Sequence, residues 1–129
     1  MSVPRYWRKQ LNRYNLKGSK CETCGRHFFP PRGLCPECRR DGKIVDCEFS
    51  GNGTVRTFSI IRTASSDYDI QTPYPLAIIE LDEGTCMTAQ VICEPEEIHI
   101  GMKVKRVFRR IIAEGNGGVI VYGTKFVPA

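Results

Sequence analysis

Cys21-Glu22-Thr23-Cys24 and Cys35-Pro36-Glu37-Cys38 form two Cys-x-x-Cys pairs, with ten residues between them. Two such pairs can close four thiolates around one tetrahedral ion. Zinc prefers this donor set, and four sulfurs leave no position open to water. The expected role of Cys21, Cys24, Cys35 and Cys38 is therefore to hold structural zinc and not to carry a reaction. Iron is the alternative occupant, because tetrahedral sulfur sites also hold iron. Each pair is expected in a tight turn, with Gly25 supplying the backbone freedom that a metal knuckle needs. A disulfide framework would need an oxidising compartment. The count of seven cysteines is odd, and the start Met-Ser-Val-Pro-Arg-Tyr-Trp-Arg-Lys has no signal-peptide pattern. A soluble cytoplasmic protein is expected. No apolar run approaches the roughly 18 residues of a membrane span.

Other reactive side chains are few. The histidines are His27 and His99. His27 lies between the knuckles, where a surface or supporting role is expected. No serine or cysteine motif lies beside His99. Cys47, Cys86 and Cys93 fall in stretches that read as strands, where an inert thiol is the commoner case. Glu80, Asp82 and Glu83 read as a solvated hairpin end. No Gly-x-Gly-x-x-Gly or Walker sequence occurs. Without a nucleophile, base and orienting group in reach of one another, an enzyme is not expected.

The elements that must position the four sulfurs follow from charge and periodicity. In this chain of 129 residues, 11 basic and 3 acidic residues precede residue 44, against 8 basic and 11 acidic after it. That split argues for modules, the front one facing something anionic. Three segments are expected: a basic amphipathic helix within 1–19, a rubredoxin-like zinc ribbon over 20–42, and a β-barrel over 43–129. The helix is read over 4–17, with Pro4 at its start and Gly18 as its stop. Trp7, Leu11 and Tyr14 share one face of it. Phe28 and Phe29 are expected to cover the metal or the seam to the barrel. Strands are read at 43–49, 54–63, 76–82, 85–93, 103–113 and 119–127, with hairpin turns at Glu83-Gly84 and over Glu114–Gly118. A bulge is expected near residue 112, one helical turn at Glu94–Ile98, and a mobile loop over 64–75. The fold class is mainly β, ending in a Greek-key barrel of the OB type. Such barrels bind single-stranded nucleic acid with basic grooves and stacking aromatics. Here the barrel segment is net acidic and Phe58, Phe108, Tyr122 and Phe126 are scattered, so nucleic acid is the secondary reading.

The order of parts resembles one family over nearly the whole chain. The stretches that carry the resemblance are Cys21–Gly25, Phe29-Pro30-Pro31-Arg32 with Cys35–Cys38, Gly53-Thr54-Val55, Pro75–Gly84, Ile100–Val104 and Lys125-Phe126-Val127-Pro128. This is the zinc-ribbon/OB-fold family, once a domain of unknown function, associated with acyl-CoA metabolism. The resemblance implies a non-catalytic accessory protein of thiolase-superfamily enzymes, in archaea a scaffold joining acetoacetyl-CoA thiolase to HMG-CoA synthase. It also implies CoA or acyl-CoA as a ligand. A patch of Arg5, Arg8, Arg13, Lys17, Arg32 and Arg40 suits the phosphates of CoA, and Trp7 or Tyr14 could stack on its adenine. The ligand contacts expected are Trp7, Arg13 and Arg32.

Overall fold

The computed structural model describes residues 3–66, 68, 71–113, 117–118 and 120–129. Two short helices open it, α1 (Val3–Arg8) and α2 (Gln10–Asn15). The single helix expected over 4–17 breaks at Lys9, whose φ of −99° and ψ of 11° leave the helical region. It also stops early. Leu16 takes the left-handed conformation, φ 53° and ψ 50°, that a glycine usually supplies. Complete burial of the Leu16 side chain in the barrel core offsets the roughly 1–2 kcal/mol this costs a non-glycine residue.

Gly18, expected as the helix stop, instead lies inside a strand. β1 (Lys17–Cys21) is flanked by β2 (His27–Phe28) and β3 (Ile44–Glu48) in an antiparallel sheet of order β2-β1-β3. The segment read as the first barrel strand therefore pairs with the ribbon, from Lys17↔Glu48 to Cys21↔Ile44. Gly18 is there because nothing larger fits. A Cβ at this position would lie 2.3 Å from the Phe28 carbonyl oxygen and 2.7 Å from Phe49 Cε2. The carbonyl belongs to a neighbouring strand and cannot give way as a flexible side chain could. Gly18→Ala is expected to destabilise the protein by about 2–3 kcal/mol. Thermal unfolding would show it, and an unchanged midpoint would refute it.

The second sheet has five strands: β4 (Asn52–Ile61), β5 (Tyr74–Leu81), β6 (Cys86–Gln90), β7 (Lys103–Ala113) and β8 (Ile120–Pro128). Their order is β6-β5-β4-β7-β8. A parallel bridge between Val91 and Phe126, with the Ile92 N–H donating to the Phe126 carbonyl at 2.7 Å, brings the two ends together. A meander followed by a hairpin that returns to the other edge is the Greek-key route of an OB barrel. The period-2 pattern drives it: Pro75, Ala77, Ile79 and Leu81 alternate inward along β5. Ala77, Ile79 and Leu81 meet Val55, Val91, Val104 and Phe126 in one core. The register of β7 on β8 shifts between Arg110 and Ile112, the bulge expected there. A second bulge at Val55/Thr57 had no sequence signal. Residues 95–97 make a single turn, its Glu97 N–H reaching the Glu94 carbonyl at 2.9 Å, and this turn delivers Ile98 to the core.

Residues 67, 69 and 70 of the expected loop and 114–116 of the expected second hairpin turn lie outside the described residues. Among the described residues no helix is long and apolar enough to cross a membrane. Ribbon and barrel share side chains. Phe28 is buried beside Cys21 and Cys35, whereas Phe29 joins Phe49 at 6.1 Å in the barrel core. Thr85 Oγ1 donates to the His27 carbonyl at 2.9 Å, and Arg106 donates to the Asn15 carbonyl. Thr124 Oγ1 donates to the Arg13 carbonyl at 2.8 Å. These barrel side chains fix where both the ribbon and α2 sit.

Candidate metal centre and binding face

The two Cys-x-x-Cys turns have the same build. The Gly25 N–H reaches the Cys21 carbonyl at 2.7 Å, and the Arg39 N–H reaches the Cys35 carbonyl at 2.8 Å. The residue after each pair is left-handed, Gly25 at φ 79° and Arg39 at φ 51°. Each turn thus folds its two sulfurs to one side. The Cys38 N–H also points at Cys35 Sγ, 3.5 Å away. The four Sγ atoms lie within 4.8 Å of one another, and Cys24 and Cys35 are 3.6 Å apart. A tetrahedron of zinc–sulfur bonds of about 2.3 Å has edges of about 3.8 Å. The four side chains fit such an ion with small adjustments. Cys21 and Cys35 are buried, Cys38 is half-buried and Cys24 is exposed.

Electrostatics favours the same conclusion. The Cys24 backbone N–H holds the Cys21 thiol down to about 6, against the burial that raises it. Cys38 is pushed up to about 12, first by burial and then by the neighbouring sulfurs. Hydrogen bonding to the Arg26 backbone pulls Cys24 down, yet burial and the sulfurs of Cys35 and Cys21 leave it raised. The thiols alone thus ionise unequally, because adjacent negative charges repel. A divalent cation removes that repulsion and lets all four ionise.

Trp7 and Arg13 converge on one cavity of about 110 Å³ between the helices and β8, with Tyr6, Tyr14, Ile120 and Tyr122 among its walls. Trp7 is 73% exposed, and Val3 and Ile120 of the same cavity are also exposed. The Arg13 guanidinium sits 4.3 Å above the Tyr6 ring. Tyr14 meets Phe108 edge-on at 5.1 Å, and Phe108 stacks on Tyr122 at 5.1 Å. Arg32 is not brought to that cavity. It lies on the ribbon with its guanidinium 5.3 Å from the Phe28 ring, and its backbone N–H donates to Ser19 Oγ. The Tyr14–Phe108–Tyr122 stack was missed in the sequence, because Phe108 and Tyr122 read only as scattered strand aromatics.

The remaining reactive groups are dispersed. His99 Nδ1 faces the Glu97 carbonyl at 3.2 Å, and Cys86 Sγ takes a contact from Arg56 Nη1 at 3.6 Å. Burial raises the Cys93 thiol above its usual range, which suits an inert side chain. Among the described residues, the four ribbon cysteines form the one cluster of three or more metal-ligating side chains.

Two family descriptions match the chain. Residues 8–43 match the family described as the ChsH2 rubredoxin-like zinc ribbon domain, and residues 47–109 match the ChsH2 C-terminal OB-fold domain. A DUF35 domain-containing scaffold protein of Methanothermobacter thermautotrophicus is 49% identical over 125 residues, which is 96% of this chain and 94% of that one. A probable enoyl-CoA hydratase alpha subunit of Thermomonospora curvata is 30% identical over 101 residues, 77% of this chain and 31% of that one. Among solved structures, the chain named Ltp2-ChsH2(DUF35) aldolase superposes with a TM-score of 0.72 at 22% identity. The match covers 99% of this chain and 96% of that one. That likeness is one of fold.

Proposed function

This chain belongs to the DUF35 domain-containing family, and from that premise we propose that it is a metal-stapled scaffold subunit with no reaction of its own. The observation that carries the reading is end-to-end identity to a scaffold protein, 49% over 96% of the chain. Cys21, Cys24, Cys35 and Cys38 hold zinc in this reading. When bound, the ion cross-links the ribbon and leaves no coordination site for a substrate.

The enzyme it serves belongs to acyl-CoA metabolism, and the thiolase superfamily is the class proposed. Acetoacetyl-CoA thiolase and HMG-CoA synthase are its two candidate partners. Support comes from the family resemblance and from the enoyl-CoA hydratase subunit among the relatives. The surface supports a docking role too. From Val3 to Lys20 the chain carries six cations and no acid, and Trp7 stands out of the same segment. A large exposed aromatic rimmed by cations suits an apolar socket with an acidic border. The same cations can pair with the phosphates of CoA. The free cysteines suit a reducing compartment, here taken to be the cytoplasm.

Co-purification from native lysate tests the proposal. A thiolase-superfamily enzyme is expected in near-stoichiometric amount, and acetyl-CoA should raise the melting temperature of the complex. Recovery of no such enzyme would overturn the partner. Salt-sensitive binding of a single-stranded oligonucleotide in its place would favour a nucleic-acid role.

A further inference from the structure

Lys125 is 6% exposed, yet among the described residues no acid neutralises it. Its Nζ donates to Gln71 Oε1 at 3.1 Å. Among the described residues no carboxylate pairs with it, and the charges that reach it are the cations of Arg109 and Arg110. An ammonium has three protons to donate, and the described residues take one of them. Burial and those two cations both work against its charged form. An unpaired buried charge is costly, and one beside a cavity marks a candidate place for an anion.

The space for that anion is present. Lys125 lines a cavity of about 250 Å³ on the barrel, walled by Tyr68 and Tyr74, with Leu76, Ala89 and Ile111 as its apolar surface. The two tyrosine rings are 6.4 Å apart. The volume equals about eight molecules of liquid water at roughly 30 Å³ each. Lys125 is the one cation among its lining residues, and much of the wall is hydrocarbon. A bare dianion would match neither the charge nor the walls. A monoanion with a short apolar body matches both.

We propose that this cavity binds a small organic carboxylate, its head on Lys125 Nζ and its apolar body against Tyr68, Tyr74, Leu76 and Ile111. The site is separate from the helix face that Trp7 marks, so it stands or falls apart from the scaffold reading.

The test is a ¹H–¹⁵N NMR titration of the full chain at constant ionic strength, with sodium hexanoate, hexanamide and sodium phosphate as probes. Hexanoate is expected to shift the amides of Gln90, Ile111 and Thr124 along a saturable curve. Hexanamide, which lacks the charge, should bind at least tenfold more weakly. Lys125→Met should weaken hexanoate binding at least tenfold while raising the melting temperature, since it removes a buried charge and shortens the side chain by only one atom. Thr88→Trp, on an exposed position of the cavity wall, should block hexanoate with the fold and Lys125 intact, and it decides the matter if the methionine variant does not fold. Hexanoate binding that survives either folded variant would overturn the proposal. So would phosphate binding in preference to hexanoate, or the absence of shifts at these amides.

Discussion

Cys35→Ser is expected to abolish stoichiometric zinc binding and to melt the ribbon, residues 17–48, under conditions where the barrel is still folded. Cys35 is buried, stands 3.6 Å from Cys24 Sγ, and accepts the Cys38 N–H. Its loss therefore removes a ligand and an anchor of the second knuckle together. Little else holds the ribbon. Its own cluster is Cys21, Phe28 and Cys35, with Cys38 and Ile44 against them, so three of its five members are thiols meant for the metal. Structural zinc contributes on the order of 10–16 kcal/mol in small metal-dependent domains. Even a fraction of that exceeds what so few buried side chains supply, about 2 kcal/mol each.

The damage should spread by a defined route. Leu16 and Phe49 flank β1 and β3, and both are buried in the barrel core. Phe29 lies against Phe49 there. A molten ribbon loses its grip on all three. Emptying an aromatic position of this kind costs about 3–5 kcal/mol, so the barrel midpoint should fall as well, after the ribbon transition. Elemental analysis, thermal unfolding and amide exchange would read the three parts. A variant holding one zinc per chain, with an unchanged midpoint, would refute the account. Chelation of the parent protein should reproduce the same order of events.

The four-cysteine cluster was legible in the sequence because its geometry is local. Two Cys-x-x-Cys turns and a glycine determine where four sulfurs go, whatever surrounds them. The barrel strands were legible for a related reason: Pro75, Ala77, Ile79 and Leu81 alternate, and turn residues punctuate them. What was not legible is what tertiary contacts impose. Lys17-Gly18-Ser19-Lys20-Cys21 has no β-branched residue and little β propensity, yet it is the centre of a sheet because β3 pairs along all of it. Nothing in Arg8-Lys9-Gln10 announces a break. The break arises where α2 answers to Thr124 and Arg106 of the barrel, which bind the carbonyls of Arg13 and Asn15. Leu16 is left-handed against its own preference because the core claims its side chain. Arg13 and Arg32 looked equivalent as basic residues, but one stands by α1 and the other on the ribbon. Lys125 could not be singled out at all, since its character comes from burial and not from its neighbours in sequence.

Trp7→Ala is expected to leave the fold intact and to remove most of the affinity for the proposed partner enzyme. Trp7 is 73% exposed, and truncating a side chain so exposed typically changes stability by no more than about 0.5 kcal/mol. Its worth lies in what covers it. An indole that passes from water into a closed socket contributes on the order of 2–4 kcal/mol at the centre of an interface, a loss of about 30-fold or more in affinity on truncation. The cations near it act differently. Arg5, Arg8 and Lys9 are exposed, so they steer encounter and are screened by salt. Arg5→Glu with Arg8→Glu should slow association and flatten its salt dependence, leaving dissociation little changed. Trp7→Ala should speed dissociation. Leu34→Ala is the matched control, because Leu34 is 58% exposed but lies in the ribbon loop. Surface plasmon resonance against acetoacetyl-CoA thiolase separates the two rates. If Trp7→Ala bound that enzyme like the parent while Leu34→Ala released it, the docking face would belong to the ribbon and not to the helix.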